Sequence, residues 1–341
     1  MKNLYIGIIF LMAVVMLAVP VTVLPESGPT KKATTEVESI GTANKTSEKV
    51  EKTEKTAKSS KSATKIQTQT VRLLISKSGK VSKIPMKEYL FGVVAGECPM
   101  DYHDEALKAQ VIAAHSYTLY RITANKSQKY DLSDDPETSQ FYRPRKEALK
   151  VWGSSANANE KRLDGIINSV EHYVVTYKNK PILAVYHAMS GGITEDSKNV
   201  WGGEVAYLKA TESLNDKSAA NYLSQVKVEK ADADAKLFSK KITAEELIGA
   251  KVTKSPSGYV LNCRVGEVTL TGGDITALFG LKSSNFDMNS DKDGGIIFTV
   301  RGSGHGVGMS QNGANMLAEK GKTYSEILLH YYKNCTLSKI E

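Results

Sequence analysis

The chain has 341 residues, 41% of them apolar and 24% charged, with a formal net charge of +8. That length suffices for one large domain or two small ones, and the positive excess is too mild and too spread out to argue for a nucleic-acid partner. Three cysteines (Cys98, Cys263 and Cys335) with no CxxC pair exclude a disulfide framework, a zinc ribbon and a redox motif.

From Leu4 to Leu24 there is no charge, and 21 residues at about 1.5 Å each make a helix of roughly 31 Å, the thickness of a bilayer core. The run reads as a transmembrane anchor. It outlasts the usual apolar region of a signal peptide, about 7 to 15 residues, and Pro20 after Ala18-Val19 makes a poor cleavage site. Lys2 is the one charge before it, so the positive-inside rule places the N-terminus in the cytoplasm and the rest of the chain outside, as a single-pass protein of the cell membrane. Residues 25–70 hold nine Lys against six Glu, with Val37, Ile40, Val50 and Ile66 as the only large aliphatics. Such a segment cannot bury enough apolar surface to offset its ordering entropy and is expected to be a disordered linker.

The folded domain is expected over 71–338. "VRLLIS" (71–76) reads as a strand and Ser78-Gly79 as a turn. "MKEYLFGVVAGECP" places Leu90, Val93 and Val94 at helical spacing with Pro99 as a stop. "DEALKAQVIAAHSYTLYRI" (104–122), free of Gly and Pro and rich in Ala, Leu and Ile, predicts a buried helix. Residues 126–165 turn polar with no usable alternation. "YVVTYKNKPILAVYHAMS" (173–190) predicts two strands around Lys178-Asn179-Lys180, and "GGIIFTVRG" (294–302) another. Ser310 can cap a helix running to Lys320, and "TYSE" (323–326) is a capping box. The class is α+β, a single mixed domain of helices and short strands after the N-terminal anchor.

Glu97 closes the first of these helices. There the helix dipole and the apolar neighbours Val93 and Val94 both favour the protonated acid, the form that glycosidic-bond cleavage needs; the same position also suits a solvated surface Glu. "YHAMSGGITEDSKNVWGG" (186–203) presents His187, Ser190, Gly191 and Gly192 at a strand-to-loop edge, where scaffolds offer polar groups to ligands. In "RGSGHGVGMSQNGA" (301–314), five glycines crowd around His305, and glycine in such number calls for positive φ or close approach to the backbone. No second ligand sits at metal spacing from His305, HExxH is absent, and neither the full phosphate-loop pattern GxxxxGK[ST] nor GxSxG occurs.

Together, "LFGVVAGECP…ALKAQVIAAHSYTLYR", "YHAMSGGITED…VWGG…YL" and "GSGHGVGMSQNGANMLAEKGKTYSEILLHYY" resemble the stage II sporulation protein D family of membrane-anchored lytic transglycosylases, whose domain amidase enhancers share. The resemblance covers nearly all of 71–338 in order. It implies peptidoglycan cleavage during endospore engulfment, Glu97 as the catalytic acid, and as partners the glycan strand, a sporulation-stage hydrolase or amidase and a membrane protein. It further suggests that His187, Ser190, Gly191, Gly192, His305, Gly306, Ser310 and Gln311 line the substrate groove, with backbone amides around His305 approaching the sugar. Two positions depart from the pattern. His115 stands where the family usually has an arginine; as a substrate-binding residue there its charge would be pH-dependent, the alternative being a satisfied core histidine. Ser139, in "SQFY", replaces the cysteine of zinc-binding members, so neither zinc nor any other cofactor is expected. The competing reading is a glycan-binding module that stimulates a partner amidase without cutting, and a structural scaffold is a third.

Overall fold

The computed structural model describes residues 70–340. The predicted anchor at 4–24 lies outside the described residues, as does all but the last residue of the predicted linker; among the described residues no helix is long and apolar enough to cross a membrane.

The first strands, β1 (Thr70–Ile75) and β2 (Lys80–Pro85), form an antiparallel hairpin turned at Gly79, as the sequence suggests. Helix α1 (Met86–Glu97) follows at once and buries every residue from Tyr89 to Ala95. It stops because Cys98 is extended (φ −115, ψ 140), the conformation a following proline imposes. Helix α2 (Asp104–Ala124) is buried along most of its length, from Ala106 to Leu119, and packs against α1 and, further along the chain, α4 (Ala156–Val170), β4 (Tyr173–Tyr177), α9 (Gln311–Glu319) and α10 (Tyr324–Tyr331). Between α2 and α4 the polar stretch that carries no clear pattern holds β3 (Leu132–Ser133), which pairs in parallel with β1, and α3 (Arg145–Trp152). Arg145 joins Glu88 of α1 to Glu160 and Asp164 of α4, so ionic contacts place elements that apolar periodicity does not reveal.

The predicted hairpin at 173–190 is shorter than expected. β4 turns through Lys178 and Asn179, both at positive φ, into the two-residue β5 (Lys180–Pro181); β4 also pairs with β14 (Thr336–Lys339). The chain then runs irregularly to β6 (Tyr186–His187), and β6 pairs in parallel with β13 (Met309–Ser310), Tyr186 opposite Met309 and His187 opposite Ser310. Between these partners the chain passes through α5 (Ser197–Trp201) and builds a second apolar core. Its elements are β7 (Leu223–Val228), α6 (Lys230–Leu237), α7 (Ala244–Ile248), β8 (Lys251–Lys254), β9 (Val260–Val265), β10 (Val268–Thr271), α8 (Gly272–Phe279), β11 (Phe286–Ser290) and β12 (Ile296–Arg301). They make two three-stranded sheets, β8-β9-β10 and β7-β12-β11, around Phe279, Phe286 and Phe298. The fold is α+β with two cores in one unit.

Candidate active site

Glu97 is the last residue of α1 and is half-buried. What surrounds it is set by two glycines one turn apart on that helix. The segment Phe141–Arg143 lies across α1 at Gly92 and Gly96: a Cβ at Gly92 would stand 2.3 Å from the Tyr142 ring, and one at Gly96 would stand 3.0 Å from the Phe141 carbonyl oxygen. The Arg143 N–H bonds the Gly92 carbonyl at 3.0 Å and its guanidinium the Ala95 carbonyl at 3.0 Å. This close crossing delivers the Phe141 N–H to Glu97 Oε1 at 2.8 Å.

From the opposite end of the sequence, α9 contributes Gln311, whose side-chain amide favours the ionised form of the Glu97 carboxyl. Gln311 Nε2 reaches Gln110 Oε1 at 3.5 Å and Cys98 Sγ at 3.7 Å. Tyr89, Tyr117 and Tyr186 complete the surroundings and feel the Glu97 charge. A buried glutamine, Gln140, ties Tyr89 to Tyr186: it accepts from Tyr186 Oη at 2.9 Å and donates to Thr118 Oγ1 at 3.1 Å and Tyr89 Oη at 3.3 Å. Burial pushes the Glu97 carboxyl up to about 7, against Phe141 and Gln311, which favour its ionised form. A carboxyl so placed is close to half protonated at neutral pH, and it can both give and take a proton there.

His305 connects to this group through Tyr186. Its Nδ1 accepts the Val307 N–H at 3.1 Å, so the proton sits on Nε2, which donates to the Tyr186 carbonyl at 3.0 Å. His187 lies alongside, ring centroids 5.6 Å apart, with Nδ1 donating to the Val307 carbonyl at 3.1 Å. Burial holds both histidines neutral, lowering His305 to about 3 and His187 to about 4. Trp201 also packs against His305, ring centroids 5.3 Å apart.

The remaining expected site residues are occupied by the protein itself. Gly302, Gly304, Gly306 and Gly308 all adopt positive φ, +71 to +101, but the freedom serves packing: a Cβ at Gly308 would stand 2.1 Å from the Val185 carbonyl oxygen, and one at Gly306 would strike the Tyr259 ring at 2.5 Å. The amides of Gly302, Ser303, Gly304, Val307 and Met309 are bonded within the chain. Ser190 and Ser310 likewise turn inward. Both donate to Asp216, a fully buried carboxylate that accepts the Ser190 N–H (3.0 Å), Ser190 Oγ (2.6 Å) and Ser213 Oγ (2.8 Å) on Oδ2, and Ser310 Oγ (3.0 Å) and Asn312 Nδ2 (2.9 Å) on Oδ1. Ser310 also caps α9, accepting the Gly313 N–H at 3.0 Å. Gly191 is pinned by the second core: its N–H bonds Tyr259 Oη at 3.1 Å, its carbonyl accepts from Tyr222 Oη at 2.9 Å, and a Cβ would meet Asn285 at 2.1 Å. Gly192, at φ +101, passes its N–H to Ser190 Oγ at 3.0 Å.

His115 faces away from Glu97. Gln110 and Tyr117, two turns apart on α2, point toward the carboxyl; His115 lies two residues before Tyr117, about 200° around the helix, where it meets the backbone of Glu171 and Tyr173 and is lowered by burial to about 4. It holds no charge in the neutral range, so the expected pH-dependent role has no support in this geometry. Ser139 Oγ accepts the Ser133 N–H at 3.1 Å, and among the described residues no group of three or more His, Cys, Asp or Glu gathers to hold a metal; the residues present do not fit a zinc ion.

Sequence reasoning did not single out Gln110, Gln140, Tyr186 or Asp216. Gln110 and Asp216 carried a readable signal, a polar residue inside an apolar helix and an Asp beside Ser213, but Gln110's partner lies 201 residues away and the other partners of Asp216 lie 26 to 96 residues away in sequence.

A family model described as Stage II sporulation protein matches residues 75–177. The chain is 34% identical over 264 residues to the stage II sporulation protein D of Bacillus amyloliquefaciens, covering 76% of each. It is 32% identical over 344 residues to that of Bacillus subtilis (strain 168), covering 100% of this chain and 97% of the relative. It is also similar to the amidase enhancer of Bacillus subtilis (strain 168), 26% identical over 304 residues, 73% of this chain and 40% of that protein.

Proposed function

The chain belongs to the stage II sporulation protein D family, and from that premise we propose that it is a membrane-anchored lytic transglycosylase that cuts the MurNAc–GlcNAc bond of peptidoglycan during endospore engulfment. The observation that carries the reading is Glu97: one half-buried carboxyl, raised to about 7, with no second carboxylate among the described residues acting on it. Ordinary glycosidases divide the work between two carboxyl groups. A single group near half protonation suits a reaction in which the same carboxyl acts twice. As acid, Glu97 protonates the leaving GlcNAc oxygen while the glycosidic bond breaks; as base, it takes the proton of the 6-hydroxyl of the same MurNAc as that oxygen closes on C1. The product is a 1,6-anhydro end, water is not consumed, and Glu97 regains its proton. Phe141 orients the carboxyl through its N–H, Gln311 favours its ionised form, and the neutral tyrosines around it keep the site free of competing charge.

The setting follows the sequence: a span at Leu4–Leu24, a linker over 25–70 and a cleaving domain over 71–338 on the outer side, working with a partner hydrolase or amidase and a membrane protein. A glycan-binding role that stimulates a partner amidase is the second reading, favoured by the likeness to the amidase enhancer. Mass spectrometry of purified glycan strands after incubation separates them. Anhydro-muramic ends from the wild type and none from Glu97→Gln support cleavage; intact strands with both, alongside a faster partner amidase, support the enhancer.

A further inference from the structure

We propose that Trp201 is an aromatic platform on which a sugar ring of the glycan strand stacks, a subsite apart from the bond that is cut. The inference rests on the reading of the chain as one that handles peptidoglycan glycan, and it holds whether the strand is cleaved or only gripped.

Trp201, one of two tryptophans in the chain, is the last residue of α5 and is 38% exposed. Burying an indole removes more apolar surface from water than burying almost any other side chain, yet part of this ring stays in water and its Nε1–H has no hydrogen-bond partner among the described residues. What the covered part of the ring rests on is fixed. The rings of His187, His305 and Trp201 follow one another at centroid separations of 5.6 and 5.3 Å, and His305 is held at both nitrogens, by the Val307 N–H and the Tyr186 carbonyl. Glu195, 1% exposed, ties α5 to the same loop. Its N–H bonds the Gly306 carbonyl at 2.7 Å, its Oε1 accepts the Asp196 N–H at 2.7 Å and Asn199 Nδ2 at 2.9 Å, and its Oε2 accepts Ser255 Oγ. Gly202 then stops the helix at φ +74, where a Cβ would meet nothing within 4 Å. The ground beside the indole is open, and a ring held in place before its ligand arrives loses little freedom on binding.

A ligand for this surface needs an apolar face of ring size and a hydrogen-bond acceptor at its edge. A pyranose of the glycan has both: axial C–H groups cover its faces, and oxygens around its edge can accept from Nε1–H. A protein partner would call for a contiguous apolar patch, whereas the exposed residues next along the chain are Gly202 and Glu204. Tyr186 joins the platform to the acid. Its carbonyl accepts from His305, its hydroxyl donates to Gln140, and it stands among the groups that feel the Glu97 charge. Glu97, Tyr186, His305 and Trp201 all keep part of their surface in water, which gives a strand lying at Glu97 a route to the indole.

The test uses purified glycan strands and the full chain carrying Glu97→Gln, so that nothing is cut, with Trp152→Phe added to leave Trp201 as the only tryptophan. Strands should shift the emission to shorter wavelength and shield it from iodide, saturably. Against that parent, Trp201→Ala should weaken strand binding about tenfold by calorimetry, the effect of losing an anchoring aromatic contact, and Trp201→Phe, which keeps a ring but loses the N–H, should fall between. Emission and iodide access that stay constant while strands bind overturn the platform, as do the absence of any strand binding and a Trp201→Ala protein that binds as tightly as its parent. Anhydro ends made by the wild type are scored separately: without them the cleavage reading fails, while a responding Trp201 still stands as a glycan subsite.

Discussion

The backbone N–H of Phe141 stands 2.8 Å from Glu97 Oε1, forty-four positions along the chain, and it opposes the burial that raises the carboxyl to about 7. The carboxyl is thereby held between two needs. Full burial without the donor would keep it protonated and useless as a base, and full solvation would leave it ionised and useless as an acid.

Glu97→Gln keeps the shape and an acceptor for Phe141 but has no proton to exchange. Cleavage should fall by about 10²- to 10⁴-fold, the usual worth of general acid–base catalysis, as measured by anhydro-end formation. Stability should move the other way. A carboxyl whose pKa rises from 4.5 unfolded to about 7 folded binds more protons in the folded state between those values, so wild-type stability drops as pH climbs from about 4.5 to 7 and is flat above. The variant lacks that loss. Its melting temperature should match the wild type near pH 4.5 and exceed it at pH 8; a constant difference across the range would show that Glu97 is not raised.

Ser190 tests the inward reading of the glycine-flanked loop. Its hydroxyl is fully buried, donates to Asp216 at 2.6 Å and accepts the Gly192 N–H at 3.0 Å. Ser190→Ala should cost about 1–3 kcal/mol of stability, the price of leaving buried partners unsatisfied, and Asp216→Ala more, about 3–5 kcal/mol, because five donors lose one acceptor group. Denaturant unfolding measures both. A raised KM at unchanged stability for Ser190→Ala would return Ser190 to the substrate groove.

How far the sequence can be read follows from where its partners lie. Helices α1 and α2, the caps at Ser310 and Thr323 and strand β12 depend on neighbours within a few residues, and all are present near their expected bounds. Glu97 was legible as a desolvated acid from Val93, Val94 and the Pro99 stop. The groups that favour its ionised form were not, since Phe141 and Gln311 arrive from 44 and 214 residues away by a loop crossing and by the pairing of β6 with β13. Positive φ around His305 was correctly implied by five glycines, yet glycine composition does not say whether the space beside it holds ligand or protein; here Tyr259, Val185 and His187 fill it.

His115, His187 and His305 are lowered by burial to about 4, 4 and 3. In each case the unfolded chain, titrating near 6.5, binds more protons between that value and the folded one, so their contribution to stability is complete above about pH 6.5 and is lost as pH falls toward 4. His115→Leu should remove part of this acid sensitivity while leaving the pH dependence of cleavage between 5 and 8 unchanged, because the residue faces Glu171 and Tyr173. His115→Arg should destabilise by placing a charge in an apolar site. A cleavage profile flattened by arginine would instead put residue 115 beside the carboxyl. Thermal melts and rates at matched pH decide.

Gly92 and Gly96 separate the two functions of the crossing over α1. In a helix, Gly→Ala ordinarily stabilises by up to about 1 kcal/mol. At Gly92 the added methyl would lie 2.3 Å from the Tyr142 ring, which is itself stacked on Tyr89 at 5.5 Å and has no room to retreat. Gly92→Ala should therefore destabilise by about 1–3 kcal/mol despite the propensity gain, as overpacking does. At Gly96 the nearest atoms are Phe141 Cδ1 and the Phe141 carbonyl oxygen, both at 3.0 Å, so the loop need give only a few tenths of an ångström. That displacement falls on the residue whose N–H holds Glu97. Lengthening the bond weakens a contact that favours the ionised carboxyl, so the Glu97 midpoint should rise in Gly96→Ala and the basic limb of the cleavage profile should move to higher pH with it. Carboxyl-carbon NMR and pH–rate curves on the same preparation check both; a Glu97 midpoint that stays put or falls would mean that the Phe141 bond does not set the acidity of the site.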